Sequence, residues 1–316
     1  MQELVLPPVD KVEVLSLMDN FTDTITPGNA IARRPVRHPD AFLRPALRAE
    51  HGVSMLITVT VGDSQTTFLF DTGVTPDGAL HNMDALEVRP GEVQALVLSH
   101  GHTDHAMGML GMINRLGRSR MPIILHPDAF LKRKIIAPDG RETNMIPPSV
   151  NDLEQENIEL VVERGPSFII DRRVLVSGQV ERTTDFEPGL PGQHAEIDGR
   201  WEPDPWVYDD QSLAINLRDK GLVIITGCGH AGIINIIRHI QGQTGMDNVH
   251  AVLGGIHLNG RAFEPVIQPV VDALVEINPE VIVPEHCSGF AATQRIAQAM
   301  PDAFVQNTVG TTLVFE

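Results

Sequence analysis

The chain has 316 residues, a formal net charge of −17 and a pI near 5.1. That balance opposes nonspecific nucleic-acid binding, whose affinity comes largely from neutralising phosphates, and it disfavours an anionic membrane surface. At 42% hydrophobic and 21% charged it reads as an ordinary folded protein, but with a single Tyr and 4% aromatics its core must be filled by Leu, Ile, Val and Met.

Residues 11–18 read as a first strand, ending at Asp19-Asn20. Residues 21–50 carry prolines and arginines with little periodicity, which predicts a long loop or flap, or a short helix around Ala41 to Leu47. Residues 53–61 and 66–70 are apolar and β-branched on either side of Gly62-Asp63-Ser64-Gln65, a hairpin signal. The second of these strands ends in Asp71-Thr72-Gly73. A helix is expected over 79–88, stopped by Arg89-Pro90-Gly91, and a strand over 93–99.

That strand delivers the densest chemistry in the chain, Ser99-His100-Gly101-His102-Thr103-Asp104-His105. Imidazole and carboxylate are ligands that Zn²⁺, Fe and Mn²⁺ accept. His100 and His102 are two apart, so on an extended segment they point the same way and can share one metal. Asp104 and His105 fall where the chain turns into a helix and can face a second. The alternative is a polar loop that happens to be rich in histidine, and four ligand-type side chains at this spacing argue against it. Asp71 is expected to hold this loop by hydrogen bonds rather than to bind metal itself.

A helix is expected over 106–116 and a strand over 122–125, closing at His126, for which a structural role is expected. Residues 130–210 are the least regular part. Lys132-Arg133-Lys134 is the densest basic cluster, read either as a solvated helix face or as an anion clamp. Residues 158–162 and 173–177 look like strands. Residues 189–205, rich in Gly, Pro and charge, are expected to be a surface loop or lid. Beyond Asp209-Asp210-Gln211 come a strand at 212–217 and its partner at 222–226, ending in Gly227-Cys228-Gly229-His230. Then follow a helix near 233–241, a strand at 249–253 running to His257, and a helix over 262–277. A strand at 281–283 runs to His286-Cys287, before a helix over 291–300 and a last strand at 311–315.

Four times, therefore, a short apolar strand ends in small residues and a histidine: His100/His102, His230, His257 and His286. Strand ends on one edge of a sheet converge on a common site. Two cysteines, Cys228 and Cys287, are too few for a disulfide framework, and both lie in these motifs. No basic-then-apolar leader and no membrane-length apolar run is visible, so free thiols and a cytoplasmic setting are expected.

H-x-H-x-D-H resembles the motif of the metallo-β-lactamase fold superfamily. The chain is similar to the branch that includes archaeal 7,8-dihydropterin-6-methyl-4-(β-D-ribofuranosyl)aminobenzene 5′-phosphate synthase. The pieces that carry the likeness are Glu50-His51-Gly52-Val53-Ser54, Phe70-Asp71-Thr72-Gly73, Ser99 to His105, Gly178 to Arg182, Asp209-Asp210-Gln211, Thr226 to Gly232, Gly254 to Leu258 and His286-Cys287-Ser288-Gly289. Gly229, Ile256 and Ser288 stand where that branch usually has Ser, Phe and Thr, and Cys228 stands where the superfamily often has a bridging Asp.

The resemblance implies an α/β fold, a four-layer αββα sandwich with its site at the sheet edge, in one domain over 1–316 with an irregular lid around 130–210. It implies two metals, Zn²⁺ with Fe or Mn²⁺ as alternatives, one held by His100, His102 and His230 and one by Asp104, His105 and His286. With no bridging carboxylate, either Cys228 or His230 takes its place or the second metal is weakly held. Asp104 and His257 are the expected catalytic residues. The expected function is a metal-dependent hydrolase of a small anionic metabolite, acting on neither nucleic acid nor membrane. A transferase resembling the synthase, displacing diphosphate, and a non-catalytic metal-binding protein are the alternatives.

Overall fold

A computed structural model describes residues 3–35, 40, 45–117, 121–154 and 158–316. Residues 41–44 of the short helix expected around Ala41 to Leu47 lie outside the described residues.

The alternating strands build two sheets packed face to face. The first has eight strands, in the order Ala32–Arg33, Thr312–Phe315, Lys11–Met18, Ser54–Val61, Ser64–Phe70, Val93–Val97, Met121–Leu125, Ile158–Val162. Its first part is antiparallel, and from Ser64–Phe70 onward the pairing is parallel. The second has six strands, in the order Ser167–Ile169, Val174–Val176, Leu213–Leu217, Gly221–Thr226, Val249–Gly255, Val281–Glu285, the last three parallel.

Period-two patterning sorts their side chains into layers. In Ser54–Val61, Met55, Ile57 and Val59 join Val223, Ile225, Ala251 and Leu253 of the other sheet in one core between the sheets. Leu56 faces the opposite way, into a second core with Met83, Met109, Met112 and Ile113 of the helices Gly78–Ala85 and Met109–Leu116. Leu222, Ile224 and Val252 likewise leave the six-stranded sheet on its outer face, against the helices Ile233–Thr244, Glu264–Ile277 and Phe290–Ala299. The layers are α, β, β, α, as the motif resemblance implied. Among the described residues, no helix is long and apolar enough to cross a membrane.

The expected helix over 106–116 is two helices, Thr103–Ala106 and Met109–Leu116. The chain bends between them where Gly108 N–H reaches the Gly73 carbonyl. Residues 189–205, read as a loop, contain a hairpin of Gln193–Ile197 with Arg200–Pro203, which pairs with Arg133–Ile136 and Glu142–Met145 in a small four-stranded sheet. Their polar strand residues pair through backbone hydrogen bonds without facing an apolar core of their own, so the sequence carries little strand signal there.

Candidate metal centre

The strand Val93–Val97 brings the histidine-rich loop to the edge of the first sheet, and the helix Thr103–Ala106 begins just after His102, itself extended. Gly101 fits because a Cβ there would lie 2.0 Å from the Ala129 carbonyl oxygen. Its N–H is held by Asp209 Oδ2 at 2.7 Å. Asp71, at a left-handed φ of 60°, turns its carboxylate under the loop. It accepts from Ser99 N and Ser99 Oγ, both at 2.7 Å, and pairs with His105 Nδ1 at 2.6 Å. Asp71 thus orients His105 from behind, the supporting role its position suggested. A Cβ on Gly227 would meet Ser99 Oγ at 2.2 Å, so only glycine lets the second sheet press its strand end against this support.

From the second sheet, His230 follows Gly221–Thr226, His257 follows Val249–Gly255 and His286 follows Val281–Glu285. His257 and His286 take left-handed φ values of 40° and 48°, a local strain that the packed loops maintain. The rings assemble closely. The centroid of His100 is 4.4 Å from that of His102, 4.2 Å from His105 and 4.8 Å from His230, and His105 is 5.1 Å from His286. Cys228 sits at the junction. Its Sγ lies within 4.8 Å of donor atoms of His100 and His230 on one side, and of His105 and His286 on the other. Asp104 Oδ2 is 3.3 Å from His286 Nε2 and 3.8 Å from His105 Nε2.

These imidazoles are buried, yet among the described residues His100 Nε2, His102 Nε2, His105 Nε2, His230 Nδ1 and His286 Nε2 have no hydrogen-bond partner. Leaving buried polar atoms unpaired is costly. Five of them converging, beside a thiol and a carboxylate, fit a donor set for divalent cations.

Electrostatics divide the cluster in the metal-free protein, holding three imidazoles neutral and His105 protonated. Burial and Arg133 push His102 down to about 4, and burial with neighbouring imidazoles holds His100 and His230 well below the ordinary value, so all three are neutral ligands-in-waiting at neutral pH. Burial opposes a proton on His105, but Asp71 and Asp104 outweigh it and raise His105 to about 9. Burial likewise opposes charge on Asp104, but His105 and His286 hold its carboxyl well below the usual carboxylate range.

His257 belongs to a further group of donors, lying with Cys228 and Cys287 within 4.8 Å of one another. Its Nδ1 is 3.8 Å from Cys228 Sγ and its ring 4.2 Å from that of His230. With His230, Gly229, Ile256, Leu258 and Phe263 it lines a narrow crevice open to solvent. His126 supports the turn after its strand, its Nδ1 accepting from Asp128 N at 3.1 Å.

The basic triplet is no free anion clamp. Lys132 pairs with Glu196 at 2.9 Å and Lys134 with Glu142 at 2.9 Å, while Arg133 is buried against Asp204 at 2.9 Å and Asp209 at 2.6 Å. The fold brings three further residues here, none of them marked by a ligand spacing in the sequence. His51 Nε2 is 3.6 Å from Asp104 Oδ2, Asn20 bonds both His51 and His286, and Asp210, pushed up to about 7 by burial, accepts from Ala231 N at 2.8 Å. The run Glu50-His51-Gly52 among the matching pieces was the available signal for His51.

A model of the metallo-β-lactamase superfamily matches residues 47–235. The chain is 29% identical, over 84% of its length and 90% of the relative's, to 7,8-dihydropterin-6-methyl-4-(β-D-ribofuranosyl)-aminobenzene-5′-phosphate synthase of Methanocaldococcus jannaschii. It is 31% identical to an uncharacterised protein of the same organism, over 83% of this chain and 92% of that one. Among solved structures, a metal-dependent hydrolase of the β-lactamase superfamily superposes with a TM-score of 0.71 at 25% identity, covering 96% of this chain and 98% of that one.

Proposed function

This chain belongs to the metallo-β-lactamase superfamily, and we propose that it is a metal-dependent hydrolase of a small anionic metabolite. The observation that carries the reading is the set of unpartnered, buried imidazole nitrogens closing on Cys228 and Asp104. In this reading His100, His102 and His230 would hold one cation and Asp104, His105 and His286 another, with Cys228 within reach of both groups. Zinc suits this mixture of imidazole, carboxylate and thiolate, with iron or manganese as alternatives. A pair of divalent cations lowers the pKa of water toward neutrality and neutralises charge developing on a substrate oxygen.

The chain's own residues do the rest. Asp71 fixes the ring of His105, Asp209 fixes the backbone at Gly101, and Asp104 orients the attacking nucleophile. His257, in the pocket beside His230, contacts substrate and moves a proton. The partner is a small molecule rather than nucleic acid or a membrane.

Protein of quantified metal content, screened against esters, lactones and phosphodiesters, tests the reading. Turnover of one class is expected, whereas tight metal retention without turnover of any favours a non-catalytic metal-binding protein. His102→Ala is expected to remove most bound metal and activity, and undiminished metal stoichiometry would sink the site assignment. His257→Ala is expected to keep both metals and lose turnover; loss of one metal equivalent makes His257 a ligand instead.

A second reading, a transferase, is favoured by the 29% identity to the synthase across 84% of the chain. Diphosphate release from a pterin diphosphate in the presence of the aminobenzene ribotide separates it from hydrolysis.

A further inference from the structure

Asn20 lies at the mouth of the centre and makes three hydrogen bonds through one amide. Its Nδ2 donates to the His286 carbonyl oxygen at 3.1 Å. A carbonyl oxygen only accepts, so this bond fixes which end of the amide is nitrogen. The same Nδ2 reaches His51 Nδ1 at 3.1 Å, and Oδ1 reaches His286 Nδ1 at 3.0 Å.

The two rings are therefore read in opposite senses. His286 Nδ1 faces an acceptor and carries a proton; in the neutral ring the lone pair is then on Nε2, the atom 3.3 Å from Asp104 Oδ2. His51 Nδ1 faces a donor and must be bare, which leaves its single neutral-form proton on Nε2. That Nε2–H looks toward Asp104 Oδ2 at 3.6 Å, too far for a full hydrogen bond, and the His51 side chain is 66% exposed.

The loop that presents His51 is firmly built. Val53 N donates to the Asp104 carbonyl oxygen at 3.2 Å, a Cβ on Gly52 would lie 2.6 Å from that oxygen, and the His51 ring lies 4.7 Å from that of His286, tilted by 35°. Asn20 is tied down by Asp19, whose Oδ1 accepts from the backbone N–H of both Asn20 and His286 at 2.7 and 2.9 Å.

We propose that Asn20 imposes opposite tautomers on His286 and His51, making His286 a metal ligand through Nε2 and His51 an N–H donor to an oxyanion bound beside Asp104. The oxyanion half of this inference rests on the two-cation reading above, and the tautomer half does not. The ligand class is a phosphate or carboxylate oxygen of the substrate, gripped by an exposed donor on the solvent side of the centre. His51 is thus a substrate-binding residue and Asn20 a positioning residue.

Imidazole ¹⁵N shifts of the metal-free protein at about pH 8, where free imidazole is neutral, test the first half. Expected are a protonated Nε2 and bare Nδ1 on His51, the reverse on His286, and loss of both biases in Asn20→Ala. A His51 protonated on Nδ1 overturns the proposal. The second half is tested by calorimetric binding of inorganic phosphate to the metal-loaded protein. His51→Phe, which keeps a ring against His286, is expected to retain both metals and bind phosphate about tenfold more weakly, the loss of one hydrogen bond. Unchanged phosphate affinity, or loss of a metal equivalent, overturns it. If the wild-type protein takes up no metal, the two-cation reading and the oxyanion half fall together, and the nitrogen shifts still decide the tautomers.

Discussion

Arg133 is 1% exposed and sandwiched between Asp204 and Asp209, the latter also holding the Gly101 N–H. Removing one partner of a buried ion pair strands the other's charge. Arg133→Met is therefore expected to cost about 3–5 kcal/mol in denaturant unfolding. The double variant with Asp209→Asn should lose less than the sum of the two single losses; strict additivity would show that the pair does not couple. His105 supplies a pH signature in the metal-free protein. Its pKa, raised to about 9 with Asp71 and Asp104 overcoming burial, lies above its ordinary value of 6.5. Its stabilisation is thus full below pH 6.5 and lost as pH rises through 9. Asp71→Asn should flatten that alkaline decline, and an unchanged profile would refute the assignment. The histidines themselves were legible in the sequence because most of their information is local: two ligand spacings and strand ends. Their supports were not. Arg133 and Asp209 are 76 residues apart and Asn20 and His286 are 266 apart, separations over which residue type alone carries no pairing signal.

At the scale of elements, the recurring strand-then-histidine pattern was readable because apolar strands with a short period stand out and their ends mark where loops gather. The small sheet of residues 133–203 was not, because its strands are half polar and Ile197 and Trp201 remain exposed. A capping contact shows the same limit. The helix Ile233–Thr244 starts at Gly232, which has no side chain to cap it. Glu187, some 47 residues earlier, accepts from Ile234 N at 2.9 Å and Asn235 N at 3.0 Å, and from Thr184 Oγ1 at 2.9 Å. A carboxylate at a helix N-terminus satisfies orphan N–H groups and meets the positive end of the dipole. Glu187→Ala is expected to destabilise the fold by about 1–2 kcal/mol, as loss of a cap does. Amide exchange should quicken first at Ile234 and Asn235, and uniform protection across the helix would argue that the cap is idle.

At the scale of the molecule, the donors come from both sheets. His100, His102, Asp104 and His105 leave the eight-stranded sheet, while Cys228, His230 and His286 leave the six-stranded one. They meet only because the shared apolar core holds the two sheets face to face, with Met55, Ile57 and Phe70 against Ile225, Leu253 and Val283. On the two-cation reading, bound metal cross-links the halves of the sandwich as well as serving chemistry. Binding that favours the folded state stabilises it by RT ln(1 + [L]/Kd), about 4 kcal/mol at a thousandfold excess over Kd. The unfolding midpoint should therefore rise with free zinc, fall on chelation and return on reloading. His286→Ala, which removes the donor nearest Asp104 on the second sheet, should start from a lower midpoint without zinc and rise less steeply with it. A wild-type midpoint indifferent to zinc would show that the imidazole cluster does not bridge the sheets through metal.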